Sequence, residues 1–204
     1  MRKLELASKQ LFIAFFVGTT ILTMCGCDNI PKPPKSFEPF TYKAKNGGCI
    51  VYFRDEKDST VVTLLNASDS PTGIMIDGST VLVPKCSSWG VCILIGSLDR
   101  FISELNENKT PEVMLLSSTI TDKDISSLSG LNNVNRLILT FCQNMSDASL
   151  ADIQNVKTLT RLFLPAKCNI TENGLITFQK NRPDVKVFRT EFASITEALR
   201  NVKN

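Results

Sequence analysis

From Val113 onward the apolar positions of this chain change rhythm at regular intervals. In VMLLSSTITDKDI (113–125), LILTFCQNMSDASL (137–150) and LFLPAKCNITENGL (162–175), apolar residues first come close together, as in a strand, and then fall at helical spacing. The blocks superpose. Asp122, Asp147 and Glu172 stand 25 apart, and the sets Thr121/Ser146/Thr171, Ile120/Met145/Ile170, Ile125/Leu150/Leu175 and Leu128/Ile153/Phe178 keep that step. Leu137, Leu162 and Val187 keep it too, while Val113 precedes Leu137 by 24. A fixed period through strand, turn and helix positions marks stacked repeats.

Each block predicts one strand and one helix. In Arg136-Leu137-Ile138-Leu139 a period of two puts Leu137 and Leu139 on one face. A Thr or Ser followed by an acid then opens a helix, because hydroxyl and carboxylate can both serve the exposed N–H groups of a first turn. Leu150, Ile153 and Val156 supply the buried side of the helix. A single unit cannot cover its own apolar face, so its stability must come from its neighbours.

These blocks resemble leucine-rich repeats of the cysteine-containing, ribonuclease-inhibitor-like subtype, whose pattern is roughly L-x-L-x-x-C-x-x-I-T-D-x-G-L. Cys142, Met145, Ser146, Asp147 and Leu150 match it in the middle block. Ile170, Thr171, Gly174 and Leu175 match it in the last, where Cys168 is shifted by one, and the block at 113 lacks the cysteine. NRPDVKVF (181–188) resembles a closing strand. The resemblance covers 111–190. It implies an α/β chain: a short right-handed leucine-rich-repeat solenoid with a curved parallel sheet and helices outside, preceded by a small β-rich capping region. It also implies that Cys142 and Cys168 are reduced packing residues.

Upstream, Val91 to Ile95 reads as a strand, and Leu98, Phe101, Ile102 and Leu105 as a helix after Ser97. Leu94 and Leu115 are 21 apart, off the period, so this is a capping β–α unit. Within 41–110 the segments at Cys49 to Phe53, Val61 to Leu65, Gly73 to Ile76 and Val81 to Val83 read as short strands. After the repeats, 191–204 reads as a C-terminal helix or tail, with Ser194 and Glu197 spaced as a capping box.

The N-terminus changes the picture. A basic start (MRKLELASK), an uncharged apolar run (LFIAFFVGTTILTM) and small residues predict a signal peptide over 1–26. Its end resembles a bacterial lipoprotein signal, which implies lipidation at Cys27. The segment 27–40 carries Pro31, Pro33, Pro34 and Pro39 and reads as an extended linker. The expectation is an exported, membrane-anchored lipoprotein on the periplasmic side of a cell envelope. Formal charge is +3; Arg2, Lys3 and Lys9 against Glu5 account for two of these, so the chain beyond residue 27 carries +1. That balance does not point to nucleic acid. The absence of histidine removes Ser-His-Asp and Cys-His catalysis and His-ligated metal.

Candidate chemistry therefore sits on the strands. Stacking the units sets outward residues in rows. One row is Met114, Ile138, Phe163 and Phe188; the next is Glu112, Arg136, Arg161 and Lys186; a third is Leu116, Thr140, Pro165 and Thr190. An apolar row beside a basic one has the makings of an interaction site, since arginine and aromatic residues are enriched at binding hot spots. Met114, Arg136, Ile138, Arg161, Phe163, Lys186 and Phe188 are the candidate partner-binding residues. Cys86 and Cys92 frame CSSWGVC, a loop that a disulfide could close in an exported protein. No metal site, cofactor or small-molecule substrate is expected. The function expected is a non-catalytic, membrane-tethered protein–protein interaction module that binds a protein partner on the concave sheet. The alternative is a structural or accessory envelope lipoprotein whose repeats pack in an assembly. An enzyme would need a polar cleft between Cys49 and Trp89, for which the sequence carries no motif.

Overall fold

The computed structural model describes residues 12–14, 36–54, 61–65, 74–94 and 98–190. The strands are β1 (Phe12–Ala14), β2 (Phe40–Lys43), β3 (Cys49–Arg54), β4 (Val61–Leu65), β5 (Thr80–Val83), β6 (Ser88–Ile93), β7 (Glu112–Leu116), β8 (Arg136–Thr140), β9 (Arg161–Pro165) and β10 (Lys186–Thr190). The helices are α1 (Asp99–Glu107), α2 (Asp122–Ile125), α3 (Asp147–Ile153) and α4 (Glu172–Asn181). The predicted signal peptide lies outside the described residues except for β1. So do Cys27, Ser97 and the 191–204 tail.

The fold is α/β. One sheet has the order β1-β4-β3-β6-β7-β8-β9-β10, and β2 and β5 form a separate antiparallel ribbon. From β6 to β10 all pairings are parallel. The register follows the sequence period: Val113 pairs with Leu137, Leu137 with Leu162, and Leu162 with Val187. Between β6 and β7 the step is 22, with Val91 against Val113, rather than the 21 inferred from Leu94 and Leu115. Val113, Leu115, Leu137, Leu139, Leu162 and Leu164 pack on Phe101, Leu105, Ile125, Leu128, Leu150, Ile153, Leu175 and Phe178 in one core between sheet and helices. Burying such side chains stabilises by about 1.5–3 kcal/mol each.

The helices differ in length for local reasons. α2 is one turn and gives way to a 3-10 segment, Ser126–Gly130. There the hydroxyls of Ser126, Ser127 and Ser129 donate to the carbonyls of Lys123, Asp124 and Ser126. Serines that bond back to the main chain compete with helix formation. α1 stops where Lys109 turns left-handed (φ 52°), with Lys109 N–H bonding Asn106 O and Thr110 N–H bonding Leu105 O.

The acidic column does more than favour its own helix ends. Asp122 accepts from Ser146 N–H (2.8 Å), Ser146 Oγ (2.6 Å) and the buried Ser149 hydroxyl in the next unit. One step on, Asp147 accepts from Thr171 N–H (2.8 Å) and Thr171 Oγ1 (2.7 Å). Each hydroxyl in turn accepts from its own helix, Ser146 from Ala148 N–H and Thr171 from Gly174 N–H. The acids are thus ties between successive units, where helix capping alone was expected. Arg182 adds a second tie. It is buried and donates to the carbonyls of Gln154, Val156 and Leu159 while pairing with Asp184.

These ties make stability acid-sensitive. Desolvation pushes the Asp122 carboxyl up, but the bonds from Ser146 and Ser149 outweigh it and hold it below its usual value. The Arg182 guanidinium does the same for Asp184. Groups with depressed folded values contribute stability above the ordinary aspartate range, about pH 4, and lose it as pH falls through the folded value. The urea midpoint should therefore drop on titration from pH 6 to pH 3. Asp122→Asn should be less stable than the parent at pH 6 and converge on it toward pH 3. A constant difference over that range would contradict the assignment.

The N-terminal part extends the sheet and closes its side. β3 lies antiparallel between β6 and β4. Glu104, buried in α1, accepts from the Tyr42 hydroxyl, Lys45 N–H (3.0 Å) and Asn46 N–H (2.9 Å), so one carboxylate holds the turn after β2 against the helix. Trp89 is a packing residue, its ring 4.7 Å from Phe40 and 5.9 Å from Tyr42. Three expectations change here. Phe37 bridges Cys86 and Phe40 opens β2, so the folded body takes in the end of the predicted 27–40 linker. β6 begins at Ser88, inside the segment read as a loop. The expected Gly73–Ile76 strand is described only from Ile74, as a single bridge from Met75 to Cys49.

Candidate functional site

The face of the sheet turned away from the helices carries the rows expected from the sequence. Met114 pairs with Ile138, Ile138 with Phe163, and Phe163 with Phe188. Glu112, Arg136, Arg161 and Lys186 are likewise neighbours in register. The rows also continue onto antiparallel β3, which repeat arithmetic does not reach: Ile50 faces Cys92 and Tyr52 faces Gly90, beside Met114 and Glu112.

Burial divides this face. Met114 is 5 % and Ile138 6 % exposed, packed with Tyr52 and Cys92 and flanked by Ile50, Leu94, Leu116 and Phe163. They form a second apolar core, so these two candidates are corrected from contact residues to interior ones. Toward β10 the face opens. Phe163 and Phe188 are half-buried and stack, with ring centroids 4.7 Å apart and planes at 15°. Arg161 is half-buried and Lys186 exposed.

The polar row is divided in the same way. Glu112, 1 % exposed, accepts from Arg136 Nη1 at 2.7 Å, Ser88 Oγ at 2.5 Å and the Tyr52 hydroxyl at 3.4 Å. Arg136 is held by this carboxylate, its Nε buried without a hydrogen-bond partner and its guanidinium 6.0 Å from the Phe163 ring centre. Arg136 is therefore committed to Glu112 and does not present charge outward. Tyr52, Ser88 and Gly90 were missed by the sequence reading because they lie outside the 25-residue period. Of the seven candidates, Arg161, Phe163, Lys186 and Phe188 remain as surface residues.

The five described cysteines are thiols. Cys86 lies in the core on the helix side of the sheet, whereas Cys92 lies in the apolar cluster on the opposite face. The expected Cys86–Cys92 disulfide is absent: Cys86 precedes β6 and packs in the helix-side core, while Cys92, inside the strand, faces the other cluster. Burial pushes Cys49, Cys92 and Cys142 each up to about 12, so these thiols stay protonated and unreactive. Cys168 is half-buried, with Arg189 Nη1 3.2 Å from its sulfur. Thiol labelling of the native protein should mark Cys168 and spare Cys49, Cys86, Cys92 and Cys142 until unfolding, as read by peptide mapping. Native labelling of Cys92 at the Cys168 rate would contradict this.

There is no group of three or more His, Cys, Asp or Glu able to hold a metal ion among the described residues. No helix among them is long and apolar enough to cross a membrane. A depression between α3 and α4 is lined by Asp147, Gln154, Gly174 and Asn181, but Asp147 is bonded to Thr171 and Gln154 to Asn181.

No protein-family model matches the chain. No curated protein matches it either.

Proposed function

We propose that the chain is an exported leucine-rich-repeat lipoprotein, lipidated at Cys27, that binds a protein partner on its sheet and catalyses no reaction. In this reading the parallel strands form a short right-handed solenoid, with 36–94 and α1 as its N-terminal cap. The observation that carries it is the Phe163–Phe188 stack beside Arg161 and Lys186, at the end of the face where burial runs out. Stacked aromatics next to cations suit a protein contact, since both residue types are enriched at binding hot spots. The basic start, the apolar run and Gly26-Cys27 support the tether.

Site-specific cross-linking tests it. A photoreactive residue at position 163, compared with one at the exposed Ile176 on α4, should give a protein adduct in the native host from 163 alone. Adducts made only of this chain would favour the assembly reading. Equal or no adducts from both positions would refute the site. Separately, Cys27→Ser should release the protein from membranes; retention would refute the tether.

A further inference from the structure

We infer that residues 191–204 dock on the outer side of α4, where they supply the helix of a further repeat and close that end of the stack. The inference goes beyond the partner-binding reading and does not depend on it.

The first reason is a column that continues past β10. Ile120, Met145 and Ile170 are followed 25 residues on by Ile195, Thr121, Ser146 and Thr171 by Thr196, and Asp122, Asp147 and Glu172 by Glu197. In the described units this three-residue signature has a fixed use. Thr121, Ser146 and Thr171 are the N-caps of α2, α3 and α4. The acid of each unit accepts from the hydroxyl of the next, Asp122 from Ser146 and Asp147 from Thr171. The same step pairs Glu172 with Thr196. It also moves the start of the last helix from Ser194, the capping-box residue, to Thr196.

The second reason is the side of α4 that this helix meets. α3 and α4 begin 25 residues apart, at Asp147 and Glu172. Across the depression between them, Ala151 of α3 faces Gly174 and Thr177 of α4. One period on, Ala151 becomes Ile176, while Gly174 and Thr177 become Leu199 and Val202. Three small side chains that leave a hollow give way to three apolar ones that fill it. Ile176 is 56 % exposed on α4, in the place where the next helix stacks.

The sheet is open at the same end. Val187 is half-buried, whereas Leu137 and Leu162, its equivalents in β8 and β9, are fully buried. Stacked repeats need a terminal unit whose outer face is polar. Arg200 and Lys203 stand 25 residues after the buried Leu175 and Phe178, so this helix ends the stack with charge.

Thiol labelling of full-length Ile176→Cys with N-ethylmaleimide, followed by peptide mapping, tests the docking. Position 176 should label about tenfold more slowly in the chain with its own tail than in the same chain carrying Leu199→Ser and Val202→Ser. Buried Cys92 should stay unlabelled in both, which reports an intact fold. Equal rates overturn the inference. Protection that survives both serines overturns it too, and its dependence on protein concentration would assign the face to a second copy. A disulfide gives a second measurement without loosening the tail. In a glutathione redox buffer Ile176→Cys should bridge to Val202→Cys and not to Asn201→Cys, which the 25-residue step turns away from α4. Equal bridging to both positions overturns the docking. A photoreactive group at 176 reacts within the chain in this arrangement, so the comparison with position 163 stands whichever way the labelling falls.

Discussion

Glu112→Ala will destabilise the protein by about 3–5 kcal/mol, the range for removing one partner of a buried ion pair. Glu112 and Arg136 are 1 % and 14 % exposed as side chains, so solvent screens them little. With the carboxylate gone, Arg136 Nη1 loses its 2.7 Å acceptor, and Arg136 Nε is already without one. The guanidinium would then lie beside Arg161, its register neighbour on β9, without the Glu112 carboxylate. The Ser88 hydroxyl would lose its acceptor as well. Swapping both charges for apolar residues of similar volume, Glu112→Leu with Arg136→Met, should recover most of the loss, because desolvation of the pair disappears with the pair. Urea denaturation at fixed slope measures both variants. A cost below about 1 kcal/mol for Glu112→Ala would mean that solvent reaches the pair and that the face is not sealed at β7 and β8.

The parallel part of the fold was legible because it is periodic. One alignment of Leu137, Leu162 and Val187 predicted adjacent strands, and the same arithmetic set Phe163 beside Phe188 and Arg161 beside Lys186. Chemistry between periods was less legible. The Asp122 and Asp147 column was visible, but that each acid reaches forward to the next Ser or Thr depends on how helices stack, which pattern alone does not encode. Exposure was misjudged at Met114 and Ile138 for a related reason. Alternation says which face a residue is on, but not whether Tyr52 of β3 and Cys92 of β6 build a core there. Cys86 and Cys92 suggested a loop by spacing, while the chain between them enters β6 and separates them across the sheet. The ribbon partner β2 was hidden by prolines upstream, which drew the linker too far toward Phe40.

Gly90→Ala will cost about 3 kcal/mol, the upper end of what overpacking a tight interior usually costs. The reason is crowding, for Gly90 sits in an ordinary strand of the sheet between β3 and β7. A Cβ there would come within 2.5 Å of the Tyr52 Oη, 2.6 Å of its Cζ and 2.6 Å of the Glu112 carbonyl oxygen. Tyr52 is 1 % exposed, so its ring has nowhere to swing without opening the apolar cluster it shares with Cys92, Met114 and Ile138. The carbonyl belongs to the backbone of β7 and moves only with the strand. Gly174→Ala is the informative comparison. Its Cβ would fall 2.1 Å from Asp147 Oδ1, closer still, yet the obstacle is a carboxylate that can rotate away. The cost there should be about 1–2 kcal/mol, chiefly the lost bonds from Thr171 to Asp147. Tyr52→Ala in the Gly90→Ala background removes two of the three clashes but leaves the β7 carbonyl in place. Relative to Tyr52→Ala alone, the alanine at 90 should therefore still be unfavourable, though by less than in the parent. If Gly90→Ala proved milder than Gly174→Ala in chemical denaturation, Tyr52 of β3 would not lie across Gly90 of β6.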